Sequence, residues 1–248
     1  MCLIVFAWRP NHQLPLVLAA NRDEFYARPS LPLAAWEDAP ELYGGRDLEA
    51  GGTWLGVGPG GRFAALTNIR DPRQPPHGRS RGELPVQFLR SALEPAAFLA
   101  ELATRSSDYS AFNLLLGNTQ QLWLLNSRHG TPQQLPEGLY GLSNAALDTP
   151  WPKLQKGKAL LGECLIEPQT EALLDLLHDA QQPADASLPD TGVGLNTERL
   201  LSSIFIATRS YGTLASTVLL ARADGSRQLV ERRYGPHGVP LGDTRIEC

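Results

Sequence analysis

The order of apolar runs along the chain limits what it can fold into more than any other feature of the sequence. Strand-like runs come first, followed by a pair of helical patterns, more strands, a second helical pair and a last set of strands. Short turn signals separate several neighbouring strands, which predicts hairpins and therefore antiparallel sheets. Two such sheets with helices on their outer faces would bury all of these apolar surfaces, so we predict one α+β domain over residues 1–248.

The expected elements follow from the periodicity of the apolar residues, which is two in a strand and close to four in a helix. Strands are predicted at residues 2–7, 14–20, 54–57, 63–67, 112–116, 122–125, 203–208, 214–221 and 228–234. Helices are predicted at residues 84–92, 95–102, 153–164 and 170–180. The segments 28–51, 71–83 and 181–197 are rich in Pro, Gly or polar residues and are predicted to be loops.

One glycine-rich segment matches the dinucleotide-binding fingerprint G-x-G-x-x-G literally, through Gly56, Gly58 and Gly61. A nucleotide site of this kind needs a helix after the glycines, because the N-terminus of that helix holds the pyrophosphate. A second strand pattern follows here instead, at residues 63–67. The glycines are therefore predicted to form a hairpin loop.

Composition and motif content argue against several classes of function. The formal net charge is −4 at pH 7 and no basic block is present, which argues against nucleic acid as a partner. The three cysteines are widely spaced, so we expect no disulfide framework, and the histidines and cysteines lack the spacing of a metal site. No apolar run reaches the length of a transmembrane segment, and the N-terminus lacks a basic leader. We expect a cytoplasmic protein without a metal ion.

Cys2 is the clearest candidate for chemistry in the sequence. If the initiator methionine is removed, one residue carries both a thiol and a free α-amine. The reference pKa is about 7.7–8.0 for the α-amine and about 8.5 for the thiol, so near neutral pH the amine can act as the base for its own side chain. The alternative is a small apolar core residue, since free cysteines are often buried. Position alone leaves both interpretations open.

Three polar clusters end or interrupt apolar runs, where strands could bring side chains to a common site. They are the segments Asn21-Arg22-Asp23-Glu24, Thr67-Asn68-Ile69-Arg70 and Gly141-Leu142-Ser143-Asn144. Each is a weak signal alone, because asparagine at a strand end more often serves a turn. Arg22 and Asp23 could likewise form a surface ion pair, which would contribute about 0–1 kcal/mol.

Together, the clusters resemble the signature of a known family. Asn21-Arg22-Asp23-Glu24 is the motif for which the NRDE family, also called the transport and Golgi organisation protein 2 family, is named. The resemblance covers nearly the whole chain, and its further segments are Met1-Cys2-Leu3-Ile4, Gly51-Gly52-Thr53-Trp54-Leu55-Gly56, Gly82-Glu83-Leu84, Pro150-Trp151-Pro152-Lys153 and Tyr211-Gly212-Thr213. It implies the four-layer αββα sandwich of the N-terminal-nucleophile (Ntn) hydrolases, most similar to the choloylglycine hydrolase and penicillin V acylase group.

The same resemblance implies a cysteine hydrolase that cleaves a linear acyl amide. The catalytic residues that it implies are Cys2, Arg22, Asp23, Asn68, Asn144 and Arg209. Cys2 would be the nucleophile, Arg22 and Asp23 would hold its thiolate and amine, and the two asparagines would donate to the oxyanion. Arg209 would be the late arginine of that group. Because adjacent strand residues point to opposite faces, only one of Arg22 and Asp23 is expected to face Cys2.

Three aromatic residues are candidates for the walls of a substrate pocket: Trp54, Trp151 and Tyr211. Residues of this kind more often belong to the core or its rim. The alternative function is binding and trafficking without turnover, because the resemblance links eukaryotic members to haem handling and to acyl-CoA or lipid metabolism. The sequence supports haem binding weakly, since no Cys-Pro pair is present and no histidine lies in a motif that marks it as an axial ligand. The expected partner is thus a small amide, acyl or haem ligand, and hydrolysis would require no cofactor.

Overall fold

Two antiparallel β-sheets form the centre of the computed structural model, which describes residues 2–73 and 77–248. The strands in these residues are β1 (Cys2–Trp8), β2 (Leu16–Phe25), β3 (Ser30–Trp36), β4 (Ala39–Asp47), β5 (Leu55–Val57), β6 (Phe63–Asn68), β7 (Phe112–Gly117), β8 (Leu122–Asn126), β9 (Gln133–Gln134), β10 (Gly138–Leu142), β11 (Tyr211–Ala221), β12 (Arg227–Tyr234) and β13 (Pro240–Glu247). The helices are α1 (Glu83–Arg90), α2 (Pro95–Thr104), α3 (Pro152–Cys164), α4 (Thr170–Leu176) and α5 (Leu195–Leu200).

The two sheets differ in how far apart their neighbouring strands lie in the sequence. Within the described residues, the first sheet has the strand order β10-β1-β2-β11-β12-β13, so that β1 and β2 pair with strands from the C-terminal half. The second has the order β3-β4-β5-β6-β7-β8-β9, in which every neighbour is also the next strand along the chain. The first sheet therefore brings together segments that no local sequence pattern connects.

Strand β1 is buried on both faces because it lies between two layers of core. Ile4 and Phe6 pack into the core between the two sheets, whereas Leu3 and Val5 pack into a second core with side chains of α3 and α4. A third core joins the second sheet to α1 and α2. The predicted four-layer αββα architecture is confirmed. Among residues 2–73 and 77–248, no helix combines the length and the apolar character that crossing a bilayer requires.

Several local predictions are confirmed. The glycine-rich segment connects β5 and β6, which pair antiparallel, so the literal G-x-G-x-x-G match belongs to a hairpin. The predicted hairpin of β7 and β8 is present, and both helical pairs occur close to their predicted positions.

Three local predictions are wrong. The predicted loop 28–51 contains β3 and β4, whose pairing is interrupted by two register shifts that hide the alternation. Residues 203–208 were expected to be a strand, but the segment bends and forms only an isolated bridge through Ala207 to Gly212. The carbonyl of Ile204 in this segment accepts a hydrogen bond from the Asn21 side chain. The predicted loop 181–197 contains the start of α5.

Glu231 is a buried carboxyl group that ties the two sheets together. It lies on β12, and its Oε1 accepts a hydrogen bond of 2.8 Å from the backbone N–H of Leu33 on β3. Burial raises the pKa of Glu231 above its ordinary value, because an ionised carboxylate is poorly solvated between the sheets.

We expect Glu231→Gln to change how the stability of the protein depends on pH. A raised folded-state pKa means that the native protein keeps a proton that the unfolded chain has lost, so the free energy of unfolding falls as pH rises. Glutamine keeps an acceptor for Leu33 and cannot ionise, so the variant should gain stability relative to the parent as pH rises above the unfolded-chain pKa of about 4.3. Urea denaturation at several pH values measures this, with Glu247→Gln on the exposed face of β13 as the control. Parallel pH profiles for Glu231→Gln and the parent would contradict the prediction.

Candidate functional site

Cys2 and Arg22 are opposite each other on the neighbouring strands β1 and β2. Cys2 has the same strand parity as Ile4, and Arg22 has the same parity as Ala20, so both side chains project toward the second sheet. A cavity of about 520 Å³ is present at this end of the sheets, and both residues line it. The first pair of strands therefore delivers a thiol and a guanidinium to one cavity.

Two groups contact the Arg22 side chain directly, and one of them is shared with Arg28. Its Nη2 lies 3.1 Å from Oδ2 of Asp47, and its guanidinium lies 4.2 Å from the ring centroid of Trp54. Arg28 binds the same carboxylate, with 2.6 Å between its Nε and Oδ2 of Asp47. The second terminal nitrogen of Arg22, Nη1, is buried and has no hydrogen-bond partner within the described residues. One buried donor of this fixed cation thus has no acceptor among the described residues.

The thiol of Cys2 is favoured in its neutral form. Burial raises the pKa of Cys2, and the nearby charge of Arg22 opposes part of that effect. The backbone around it is fixed, because the Ser143 hydroxyl donates a 2.9 Å hydrogen bond to the carbonyl oxygen of Cys2. A nucleophile in this position needs a base to remove its proton.

Asp23 lies at the end of β2 with the opposite strand parity, as expected for a neighbour of Arg22. Its Oδ1 accepts a 2.8 Å hydrogen bond from the hydroxyl of Thr213, next to an irregularity in the pairing of β2 with β11. Although only Arg22 shares the strand face of Cys2, Asp23 also lines the cavity. Burial raises the pKa of Asp23, so its carboxyl group holds a proton more tightly than usual.

Asn21, the first residue of the signature, points away from the cavity. Its Nδ2 donates hydrogen bonds to the carbonyl oxygens of Leu177 at 2.9 Å and Ile204 at 2.8 Å. Its Oδ1 accepts a 2.6 Å hydrogen bond from the hydroxyl of Ser216 on β11. Asn21 therefore joins the first sheet to the segments that follow α4 and α5, and its role in this position is structural.

Asn68 and Asn144 are in contact, but only Asn68 lines the cavity. The Nδ2 of Asn144 donates to the backbone oxygen of Asn68 at 2.9 Å and to its Oδ1 at 3.0 Å. Since the oxygen of the Asn68 amide accepts from Asn144, its NH₂ group is the end left for a ligand. The resemblance implied two oxyanion donors, whereas this geometry offers Asn68 as the donor and Asn144 as the residue that orients it.

The remaining predicted residues have different surroundings. Trp54 lines the cavity, whereas Trp151 is buried in the core beneath α3, where its ring lies 4.9 Å from the guanidinium of Arg70. The hydroxyl of Tyr211 donates a 3.3 Å hydrogen bond to the backbone oxygen of Asp23, so Tyr211 contacts the backbone of a cavity residue without lining the cavity itself. Arg209 is exposed in the turn before β11 and is not part of the cavity wall.

Two charged residues that no sequence argument had singled out lie near Cys2. Lys153 is buried, its Nζ donates a 2.9 Å hydrogen bond to the carbonyl of Leu201, and burial lowers its pKa to about 8. Arg81 lines the cavity, and burial lowers its pKa as well. The only signal for either was its place in or beside a family segment, Pro150–Lys153 or Gly82–Leu84. Their proximity to Cys2 depends on the fold.

The site offers groups for nucleophilic and electrostatic catalysis. It combines one thiol, a fixed arginine, a carboxyl group and an amide donor around a single cavity. Within the part of the chain that the structure describes, no group of three or more His, Cys, Asp or Glu residues could hold a metal ion.

Comparison with known proteins gives consistent matches over the length of the chain. The family model described as Transport and Golgi organisation 2 matches residues 1–236. The human protein named Transport and Golgi organization protein 2 homolog is 35% identical over 268 residues, covering 99% of this chain and 97% of that protein. The Drosophila melanogaster protein named Transport and Golgi organization protein 2 is 31% identical over 281 residues, covering 100% of this chain and 98% of its own.

Two solved structures, of a hydrolase and an amidase, match this chain over most of its length. A mutant conjugated bile acid hydrolase from Clostridium perfringens superposes with a TM-score of 0.54 at 7% identity, over 100% of this chain and 92% of that chain. A Caenorhabditis elegans ortholog of N-acylethanolamine-hydrolyzing acid amidase gives a TM-score of 0.44 at 13% identity, over 89% and 92% of the two chains. At such low identity the likeness concerns the fold.

Proposed function

Because this chain belongs to the Transport and Golgi organisation 2 family and has an Ntn-hydrolase-like fold, we propose that it is a cysteine amidohydrolase that cleaves the C–N bond of a linear acyl amide. The observation that carries the proposal is the pairing of Cys2 with Arg22 at the wall of a 520 Å³ cavity that Asn68 also lines. These are the groups that amide hydrolysis needs: a nucleophile, a cation beside it and a donor for the oxyanion.

In the proposed reaction, Cys2 acts after removal of Met1. The free α-amine takes the thiol proton, and Sγ attacks the amide carbon, so that a C–S bond forms and the carbonyl oxygen becomes an oxyanion. The NH₂ group of Asn68 donates to that oxyanion, with Asn144 holding the amide in orientation. The α-amine then returns its proton to the leaving nitrogen, and the C–N bond breaks to give a thioester. Water hydrolyses the thioester with the same amine as base.

The environment of the thiol supports a mechanism with a local base. Since burial raises the pKa of Cys2, the thiolate is a minor species at neutral pH, and attack requires proton transfer at that moment. The free Nη1 of Arg22 is available to stabilise the thiolate as it forms. Asp23 would orient the amine from the end of β2.

The proposal predicts that the state of the N-terminus controls activity. A chain released by a protease so that it begins at Cys2 should hydrolyse acyl amides, whereas the same chain with one extra glycine before Cys2 should be slower by a factor of about 10²–10⁴, the usual contribution of a general base. Intact mass establishes each N-terminus, and release of the free amine from a panel of acyl amides gives kcat. Equal rates for the two chains would contradict the use of the α-amine as the base.

Ligand binding without turnover is the competing proposal. It would use the same cavity for an acyl-CoA, another lipid or haem, all of which carry anionic groups that the arginines in the wall could pair with. Two results together would favour this function over hydrolysis. The chain that begins at Cys2 would not hydrolyse amides, and it would show a spectral change on adding haem or thermal stabilisation by acyl-CoA.

A further inference from the structure

Arg81 differs from the other arginines that line the 520 Å³ cavity. Arg22 and Arg28 both bind Asp47, and the Nε of Arg79 lies 2.8 Å from Oε1 of Glu83. Arg81 has no carboxylate partner within the described residues, and its Nη1 donates to the carbonyl oxygen of Ala111 at 3.1 Å. Among the described residues, Arg81 is therefore the arginine at this cavity that forms no ion pair with a carboxylate.

The backbone around Arg81 is clamped to the opposite loop of the cavity. The N–H of Thr53 donates a 3.0 Å hydrogen bond to the carbonyl oxygen of Gly82, directly after Arg81. A Cβ atom on Gly52 would lie 2.2 Å from that oxygen, so only glycine permits this approach. The family segments that contain Gly52 and Gly82 thus meet at one contact, which fixes the start of the Arg81 side chain on the cavity wall.

Arg81 also lies on the same cavity as the candidate nucleophile. It lines this cavity together with Cys2, and it lines an adjoining cavity of about 320 Å³ together with Asn68. Its charge interacts with the Cys2 thiol, which places the two groups within electrostatic range of one another. Because Arg81 and Cys2 line one cavity, a single bound molecule could contact both groups.

We infer that Arg81 is a specificity-determining residue that selects amide substrates carrying a carboxylate group. This inference rests on the proposed amidohydrolase function and names the class of substrate. Of the four arginines that line the cavity, Arg22, Arg28 and Arg79 have carboxylate partners and Arg81 has none among the described residues, so a carboxylate on the ligand would supply one. The planar guanidinium fork matches a carboxylate, and its burial strengthens the pairing.

Matched substrates test the inference on the chain that begins at Cys2. One pair is an N-octanoylglycine and its neutral counterpart N-octanoylglycinamide, and a second pair carries the charge on the acyl side, as glutaryl anilide and its terminal amide. We expect kcat/KM to favour the anionic member of at least one pair. Arg81→Gln should lower that preference about 10- to 100-fold, mainly through KM, because it removes a hydrogen-bonded charge pair.

Two variants make the result specific to the Arg81 guanidinium. Arg81→Lys keeps the charge and should retain part of the preference, whereas Arg79→Gln removes an ion-paired cation from the same cavity and should change it less than about threefold. Melting temperatures of all variants verify that each is folded. Two results would overturn the inference and leave the proposed function standing, provided that amides are still cleaved. One is the absence of a preference for either anionic substrate, and the other is a preference that Arg81→Gln leaves unchanged.

A binding measurement separates the two proposals if no amide is cleaved. The Cys2→Ala protein is titrated with N-octanoylglycine and N-octanoylglycinamide by calorimetry. Tighter binding of the anion that is lost in the Cys2→Ala, Arg81→Gln double variant would support the carboxylate site while the hydrolase proposal fails. Equal affinities for the two ligands, or an anion preference that the double variant retains, would overturn the carboxylate site.

Discussion

Replacing Cys2 with alanine is expected to lower kcat for amide hydrolysis at least about a thousandfold, because the sulfur that would form the thioester is removed. The fold should survive, since Ser143 binds the backbone oxygen of Cys2, which alanine retains. Rates of amine release from an acyl amide measure the effect, with the melting temperature as the test of folding.

A second cysteine provides a matched control for the loss of a thiol. Cys164 is half-buried at the end of α3 and is not part of the cavity wall, so Cys164→Ala should keep the parent rate within about twofold. Retention of more than a tenth of the parent rate by Cys2→Ala would show that another group is the nucleophile. Loss of activity in both variants would point to a general effect of thiol removal.

The largest effect on stability is expected for Asn21→Ala. The substitution removes three buried hydrogen bonds and leaves two carbonyl oxygens and the Ser216 hydroxyl without their partner. A buried polar group without a partner costs about 1–3 kcal/mol, so the free energy of unfolding should fall by about 3 kcal/mol or more. Urea denaturation, monitored by circular dichroism, gives this value.

The same signature contains the control for this prediction. Glu24→Ala changes a partly exposed residue whose side chain accepts a hydrogen bond from the adjacent backbone N–H of Phe25, and we expect a change within about 0.5 kcal/mol. A loss of less than 1 kcal/mol for Asn21→Ala would contradict the structural role given to this residue. The expected contrast separates two functions within one four-residue motif, in which Asn21 holds the layers together and Arg22 faces the cavity.

Periodicity alone predicted the elements whose apolar pattern is regular. The β5–β6 hairpin is an example, because a strand and not a helix follows the glycines. This local feature alone excludes a dinucleotide site. The hairpin of β3 and β4 was missed because its pairing shifts register twice, so no alternation over 28–51 marks the strands.

The candidate site was only partly predictable for a related reason. The family resemblance supplied the residue set, and strand parity correctly gave Arg22 the face of Cys2. The different surroundings of Asn68 and Asn144 could not be predicted, because both are asparagines at the ends of apolar runs and the contact between them joins residues 76 positions apart. Arg209 has the charge that the family resemblance implied for the site, but it lies in an exposed turn. No sequence pattern marked Arg81 as a site residue, yet it lines the cavity.

The sequence by itself determined the elements whose apolar pattern is regular, the alternation of faces along each of those strands, and the family. These features depend on residues close together in the chain, where backbone geometry sets a fixed period. Only the tertiary structure decided which side chains meet at the cavity. Ser143 reaches the carbonyl of Cys2 across 141 residues because β10 pairs with β1, and such pairing is set by packing of the whole core.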